Sequence, residues 1–312
     1  MINIAIVGAG YMAREHCLVF CSMPECELVG ICSRTTEKAQ QLAAEFGIPV
    51  VCEEIRNLFE ELHADVVIIA VSETAVRNVC EVAFHYPWVC LVEKPAGYNL
   101  VDAKHIAEVA KRSPAKAYVG LNRRHYSSTR SVLADLQGNS STRFVHVQDQ
   151  ESPATLNDSG IEKLVLDHWM YANSIHLVDY FSVFCRGEVV DVNSVSGWQP
   201  NEPCYVLALL EFSSGDKGLY QAIWEGPGPW AVTINTPAVR YELRPLERGG
   251  IQKFGSRTVE ELDVDDIDQN FKPGLRLQAD ELIRAVRGDP HQLPSLDEAL
   301  KSMRMVYEIY GV

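Results

Sequence analysis

The run Gly8-Ala9-Gly10-Tyr11-Met12-Ala13 constrains this chain more than any other stretch, because of what stands on either side of it. Ile2–Val7 (INIAIV) is a short apolar run of strand type, and a helical pattern follows the turn through Phe20. A lone G-x-G-x-x-A is weak evidence. Set after a strand, before a helix, and leading to a second strand over residues 27–32, it reads as a dinucleotide-binding turn. Gly8 permits the tight turn, Gly10 lets a pyrophosphate approach the backbone at a helix N-terminus, and Ala13 is small enough for helix–strand packing. Tyr11 and Met12 complete the turn.

The end of the second strand discriminates between dinucleotides. An NAD site usually places Asp or Glu there to bind the ribose 2′-hydroxyl. This chain has Ser33-Arg34-Thr35-Thr36, with Lys38 one turn on. Ser33 offers an uncharged hydroxyl, and Arg34 a guanidinium suited to a 2′-phosphate. NADP(H) is therefore favoured over NAD(H), although Ser33 read merely as the cap of a helix starting near Thr36 fits either cofactor. Helix, strand and helix then alternate: 37–46 (closed by Gly47), a short helix over 57–63, a buried strand over 65–71, a helix over 74–85, a strand over 89–92, a helix over 100–112 and a strand over 116–121. Such alternation means an α/β, doubly wound parallel sheet. Val71, Ser72 and Thr74, at the end of the 65–71 strand, are expected over the cofactor.

In VCLVEKPAG, residues 89–97, the apolar strand ends abruptly at Glu93, Lys94 and Pro95. The carboxyl end of a parallel strand is where open α/β sheets bind their ligands. Partial desolvation there lowers a lysine's pKa and makes Lys94 a candidate proton shuttle near neutral pH. A surface lysine capping a strand is the plainer reading of the same residues.

The alternation stops near residue 121, and a second domain begins. Asn122-Arg123-Arg124-His125-Tyr126 is a cationic and aromatic cluster. Arg124 or Tyr126 suits a substrate hydroxyl or carboxylate, and a salt bridge between domains suits the arginines equally. Residues 130–136 continue as a helix, 143–150 read as a strand, 157–165 as a loop and 166–184 as one helix. On that helix Asn173, His176 and Asp179 share a face, with Trp169 one turn earlier, an amphipathic edge of the kind that binds sugars. A histidine on an apolar helix is also read as a core residue. Runs at 189–198, 205–212, 218–224, 231–236 and 239–245 imply an open, mostly antiparallel sheet with one face free to cover a cleft or a subunit partner. The acidic stretch 260–268 reads as a solvated loop. Helices over 275–287 and 296–310 close the chain, the second capped by Ser295. The expected domains are 1–121, 122–274 and 275–312.

The chain has 312 residues, nine cysteines with no C-x-x-C pair, and a formal charge of −14. That charge argues against a nucleic-acid partner, which needs clustered Lys and Arg. No apolar run approaches the ~20 residues of a membrane span, no signal peptide is visible, and unpaired cysteines in apolar runs read as reduced thiols of a cytoplasmic protein.

Taken together, the chain resembles the Gfo/Idh/MocA oxidoreductases, relatives of glucose–fructose oxidoreductase and inositol dehydrogenase. The resemblance rests on Gly8-Ala9-Gly10 with His16, Cys32-Ser33-Arg34, Glu93-Lys94-Pro95, residues 120–124, His176 and Asp179, and the tail 293–310. It implies hydride transfer between nicotinamide C4 and a carbinol carbon of a sugar, sugar derivative or cyclitol. It also implies that Lys94 contacts the substrate hydroxyl and nicotinamide ribose, that His176 donates or accepts the proton, and that the last helices return to the nucleotide domain. The implied cofactor set is Gly8, Gly10, Tyr11, Met12, Ser33, Arg34, Val71, Ser72, Thr74, Glu93, Lys94 and Asn122. Arg124, Tyr126, Trp169, Asn173 and His176 are the substrate set; no metal is expected. A homo-oligomer, dimer or tetramer, through the C-terminal sheet is expected. One departure stands out: the family often carries Asp four residues before the helix histidine, and here that position is Ala172. It leaves open a dinucleotide-binding sensor without turnover, beside a third reading as a reductase of a non-sugar carbonyl.

Overall fold

The computed structural model describes all residues except 157–159, 201 and 203, so part of the loop expected over 157–165 lies outside the described residues. The chain divides into two compact units. One comprises Met1–Asn122 and Gln269–Leu300, the other Arg123–Asp268 and Lys301–Val312.

The first unit is a parallel sheet in the order β3-β2-β1-β4-β5-β6. Its strands are β1 (Ile2–Val7), β2 (Cys26–Cys32), β3 (Val51–Cys52), β4 (Val66–Ile69), β5 (Val89–Glu93) and β6 (Lys116–Gly120). The crossovers are α1 (Tyr11–Cys21), α2 (Thr36–Phe46), α3 (Ile55–Glu60), α4 (Val76–Ala83) and α5 (Leu100–Lys111). Every residue of β4 and β5 is buried, as expected of strands covered on both faces. Ile4, Ile6, Ile31, Val66, Ile68 and Leu91 form the centre of the core, with Cys17 and Phe20 of α1 packed on it. Leu275, Ala279 and Leu282 belong to the same core.

The second unit is built on an eight-stranded sheet, β14-β13-β12-β11-β7-β10-β9-β8. Chain order gives a 3₁₀ turn at Asn122–His125, α6 (Ser127–Asp135), β7 (Phe144–Glu151) and α7 (Lys163–Leu166). A π-helical turn, Met170–Ser174, leads into α8 (Ile175–Phe184). Then come β8 (Val189–Ser196), β9 (Cys204–Phe212), β10 (Lys217–Trp224), β11 (Ala231–Asn235), β12 (Val239–Leu243), β13 (Gly250–Lys253) and β14 (Glu260–Glu261). Only β7 and β10 pair in parallel; all other neighbours are antiparallel. One face packs on α8, where Phe181 approaches so closely that a Cβ on Gly218 would sit 2.7 Å from its ring.

Several elements depart from expectation, among them the short strand β3 and the helix α9 (Ile267–Asn270), which starts within the acidic stretch 260–268. The helix expected over 166–184 is interrupted by the π-helical turn before α8, because the widened turn lets Trp169 at its N-cap, Asn173 and Ser174 reach one carboxylate on β7. Helix α7 forms at Lys163–Leu166, largely in the stretch expected as a loop over 157–165. Strands β13 and β14 were not foreseen, and β14 falls inside the acidic stretch; both are short and polar, with little hydrophobic alternation to read. The chain closes with α9 (Ile267–Asn270), α10 (Leu275–Arg287) and α11 (Leu296–Tyr310). The division between units falls inside α11, because Ser302 and Tyr310 are bonded to α8, the π-helical turn and β10. Ser295 does cap α11: its hydroxyl accepts from the Glu298 N–H at 3.2 Å, while Glu298 accepts from the Ser295 N–H at 2.8 Å.

Candidate functional site

In the Rossmann unit, the strand order brings the carboxyl ends of β2, β1, β4 and β5 side by side. The two glycines of the turn differ in what requires them. Gly8 has φ +116°, and a Cβ there would lie 2.0 Å from the Ala70 carbonyl oxygen, so the protein itself demands glycine. Gly10 has φ −93° and ψ −170°, open to any residue, and a Cβ on it would meet no protein atom within 4 Å. Gly10 is also the N-cap of α1, with no side chain capping the helix. Its open cradle lies against first-turn N–H groups and the positive end of a helix dipole, which fits a pyrophosphate. Tyr11 is 64% exposed beside it, with the Lys272 ammonium 5.2 Å from its ring; Met12 is half-buried.

At the end of β2, Ser33 is half-buried, and its hydroxyl accepts from the Thr35 N–H at 3.3 Å. Thr35, not Ser33, occupies the N-cap of α2. Arg34 is exposed and has no ion-pair partner among the described residues. After β4, Val71, Ser72 and Thr74 are half-buried, with the Ser72 and Thr74 hydroxyls 3.5 Å apart.

At the end of β5, Glu93 is buried rather than presented outward. One carboxylate oxygen pairs with His16 Nε2 at 2.6 Å, and the other accepts from the Lys94 N–H at 3.3 Å. Gly120 on β6 leaves room for that carboxylate, since a Cβ there would sit 3.1 Å from it. Glu93 thus anchors the strand end that carries Lys94, which is half-buried. The Lys94–Pro95 peptide bond is cis. Asn122 is also buried, donating to the Pro273 carbonyl at 2.9 Å.

The second unit gathers a separate polar cluster. Arg124 donates two hydrogen bonds of 2.7 Å to the two oxygens of Asp179, and Ser302 donates to Asp179 at 2.6 Å. This bidentate pair ties the start of the domain to α8. Tyr126 is buried at the N-cap of α6. His176 is buried on α8, while Trp169 and Asn173 are half-buried at the π-helical turn.

The turn faces two buried carboxyl groups on β7. β7 alternates Val145, Val147, Asp149 and Glu151 toward the interior. Trp169 Nε1 donates to Glu151 at 2.6 Å, Asn173 Nδ2 to both its oxygens at 3.1 and 2.9 Å, and the Ser174 hydroxyl at 3.2 Å. Asp149 accepts from the Tyr220 hydroxyl at 2.6 Å, and that hydroxyl lies 2.7 Å from Tyr310. Trp224 Nε1 and the Ser174 hydroxyl complete the network, each 3.2 Å from Tyr310. Burial, and then the neighbouring Asp149 charge, push Glu151 well above the usual carboxylate range; burial also raises Asp149. Two adjacent buried carboxyls cannot both ionise cheaply, which is why Asp149 adds to the rise at Glu151. The signal was present in FVHVQDQE, whose period-2 alternation sets Asp149 and Glu151 on the valine face. Near this cluster, Trp198, Trp224 and Glu225 line a cleft of ≈ 510 Å³ within the same unit. Trp230 is 37% exposed, and the Arg123 guanidinium stacks 4.5 Å from its ring.

A doubly wound parallel sheet with this glycine cradle is the dinucleotide-binding Rossmann arrangement. Residues 2–121 match the model described as "Oxidoreductase family, NAD-binding Rossmann fold" (Gfo/Idh/MocA). Over 98% of its length the chain is 23% identical to 4-carboxy-2-hydroxymuconate-6-semialdehyde dehydrogenase of Sphingobium sp. strain SYK-6, covering 97% of that protein. In structure it is similar to a dehydrogenase from Chromobacterium violaceum (TM-score 0.84, 19% identity, 99% and 94% of the two chains). A similar match is the aldose–aldose oxidoreductase of Caulobacter crescentus, solved with glycerol (TM-score 0.83, 19% identity, 99% and 96%). At these identities the structural likenesses establish the fold. Among the described residues, no helix is long and apolar enough to cross a membrane, and all nine cysteines are free.

Proposed function

We propose that this protein is an NADP(H)-preferring dehydrogenase or reductase acting on a carbinol or keto carbon of a sugar, sugar derivative or cyclitol. The observation that carries the reading is the open cradle at Gly10, on the same sheet edge as Lys94. When bound, the nicotinamide takes or gives the hydride. Gly8 and Gly10 shape the turn beneath the pyrophosphate, Arg34 holds the 2′-phosphate, and Ser33, Val71, Ser72 and Thr74 line the strand ends. Lys94 carries the proton at the substrate hydroxyl, anchored from behind by Glu93 and His16. His176 is the second proton carrier, and Trp169 with Asn173 forms the polyol-binding edge. Arg124 and Tyr126 act from within the fold, given the Asp179 pairing and the burial of the tyrosine.

A non-sugar carbonyl is the second reading, favoured by the muconate semialdehyde relative that matches nearly end to end. We further propose a homo-oligomer, a dimer or tetramer, through the outer face of the second sheet. There Tyr205 (66% exposed) and Leu209 (45%) line up with Ile223 and Leu219 across β9 and β10. A cytoplasmic location fits the unpaired cysteines.

The test is fluorescence titration with NADPH and NADH, followed by a panel of D-glucose, D-xylose, myo-inositol, levoglucosan and small hydroxy-aldehydes. Tight NADPH binding with sugar-dependent turnover supports the proposal. Turnover of aldehydes alone moves the reading to the second class. Binding without turnover points to a sensor, and failure to bind either nucleotide overturns the proposal.

A further inference from the structure

Position 172, where the resemblance leads to an expected carboxylate four residues before His176, holds a buried alanine, Ala172. A carboxylate nevertheless reaches the same turn, from the sheet instead of the helix. Glu151 is 2% exposed and accepts from Trp169, Asn173 and Ser174, three residues of one turn. The amide of Asn173 has two ends, and only its NH2 end can face a carboxylate. Its carbonyl oxygen therefore turns the other way, and no donor reaches it among the described residues.

We propose that Glu151 is the positioning residue of this edge: it fixes the Asn173 amide with its carbonyl oxygen outward, so that the edge selects a ligand hydroxyl as donor. The inference rests on the reading of Trp169 and Asn173 as the polyol-binding edge. It also explains how the chain dispenses with an acid at position 172. Asp149, Tyr220 and Tyr310 stand behind Glu151 as a closed hydrogen-bonded layer, which prevents the carboxylate from swinging away.

Two variants and one spectrum test this. In Glu151→Gln an NH2 group replaces one acceptor, and Asn173 flips to accept from it, presenting donors outward. KM for the best polyol of the panel should rise about tenfold or more with kcat within about threefold, the loss of one oriented hydrogen bond. Adding Asn173→Asp restores an outward acceptor, and KM should return to within about threefold of wild type. A tie that is only structural would lower stability and kcat without rescue by the second change. An unchanged KM in Glu151→Gln, or no rescue, overturns the proposal.

Should the wild type turn over no polyol, the proposed function fails, and ¹⁵N–¹H spectra of the wild-type protein still decide the positioning. A slowly exchanging Asn173 side-chain NH2 and a downfield Trp169 indole N–H, both dependent on Glu151, support it. An Asn173 amide exchanging like a solvated one overturns it.

Discussion

Gly8 and Gly10 stand two residues apart, and alanine at each should fail differently. At Gly8 the added methyl would overlap the Ala70 carbonyl at 2.0 Å in a backbone of φ +116°. Relief requires β1 and the turn after β4 to part, at a cost of about 3 kcal/mol or more. At Gly10 the methyl meets no protein atom and φ is −93°. The entropy gained in the unfolded chain, about 0.4–1 kcal/mol, is opposed by alanine's poorer N-cap, about the same size. Gly10→Ala should therefore keep its stability within about 1 kcal/mol of wild type. The same methyl projects into the space assigned to the pyrophosphate, so NADPH affinity should fall about tenfold or more. Urea denaturation and NADPH titration on both variants form the assay. If Gly10→Ala binds NADPH as wild type does, the cradle is not the site. If it unfolds as readily as Gly8→Ala, the space is not open.

Arg34→Ala should weaken NADPH about tenfold and NADH less than about threefold, since an exposed charge-assisted contact sits at the low end of its range; equal loss for both nucleotides, by the same titration, would sink the 2′-phosphate argument. Lys94→Met should cut kcat by about 10²–10⁴ while NADPH still binds, and steady-state rates unchanged from wild type would remove the lysine from the chemistry. Asp216 is buried, which acts to raise its pKa, but Arg186 and the N–H groups of Arg143 and Arg186 outweigh burial and hold it at about 2. A depressed carboxyl stabilises the fold above its unfolded pKa and loses that as pH falls. The wild type's advantage over Asp216→Asn should therefore shrink by about 2 kcal/mol between pH 5 and pH 2, read from urea midpoints; a gap that widens on acidification would reverse the sign assigned here.

The Rossmann half was legible because its signals are local and agree with one another. A glycine turn, apolar runs such as 66–69 and caps such as Gly47 each specify an element without distant partners. The outer strands of the second sheet were less so. β13 and β14 owe their pairing to neighbours across the sheet, and a run such as Glu260–Glu261 carries no hydrophobic alternation of its own. The π-helical turn has the same origin. The composition of residues 166–184 suits an unbroken helix, and only the carboxylate of Glu151, some twenty positions away in sequence, gives Trp169, Asn173 and Ser174 a common target.

That long-range dependence also governs what a missing motif residue means. Judged by position alone, Ala172 removes a carboxylate from the helix and points toward lost chemistry. Judged by space, the turn still carries a buried acid, supplied through β7, whose alternation sets Glu151 one strand period beyond Asp149. The two supplies are not equivalent. A helix acid four residues before His176 would lie on that histidine's own face, whereas Glu151 binds the Asn173 amide and the Trp169 indole. On the proposed roles, the replacement moves the acid's influence from His176 to the edge formed by Trp169 and Asn173. If Lys94, His176 and the Trp169–Asn173 edge act as proposed, loss of the helix acid bears first on which hydroxyl is accepted, and Lys94 is left with the larger share of the proton's transfer.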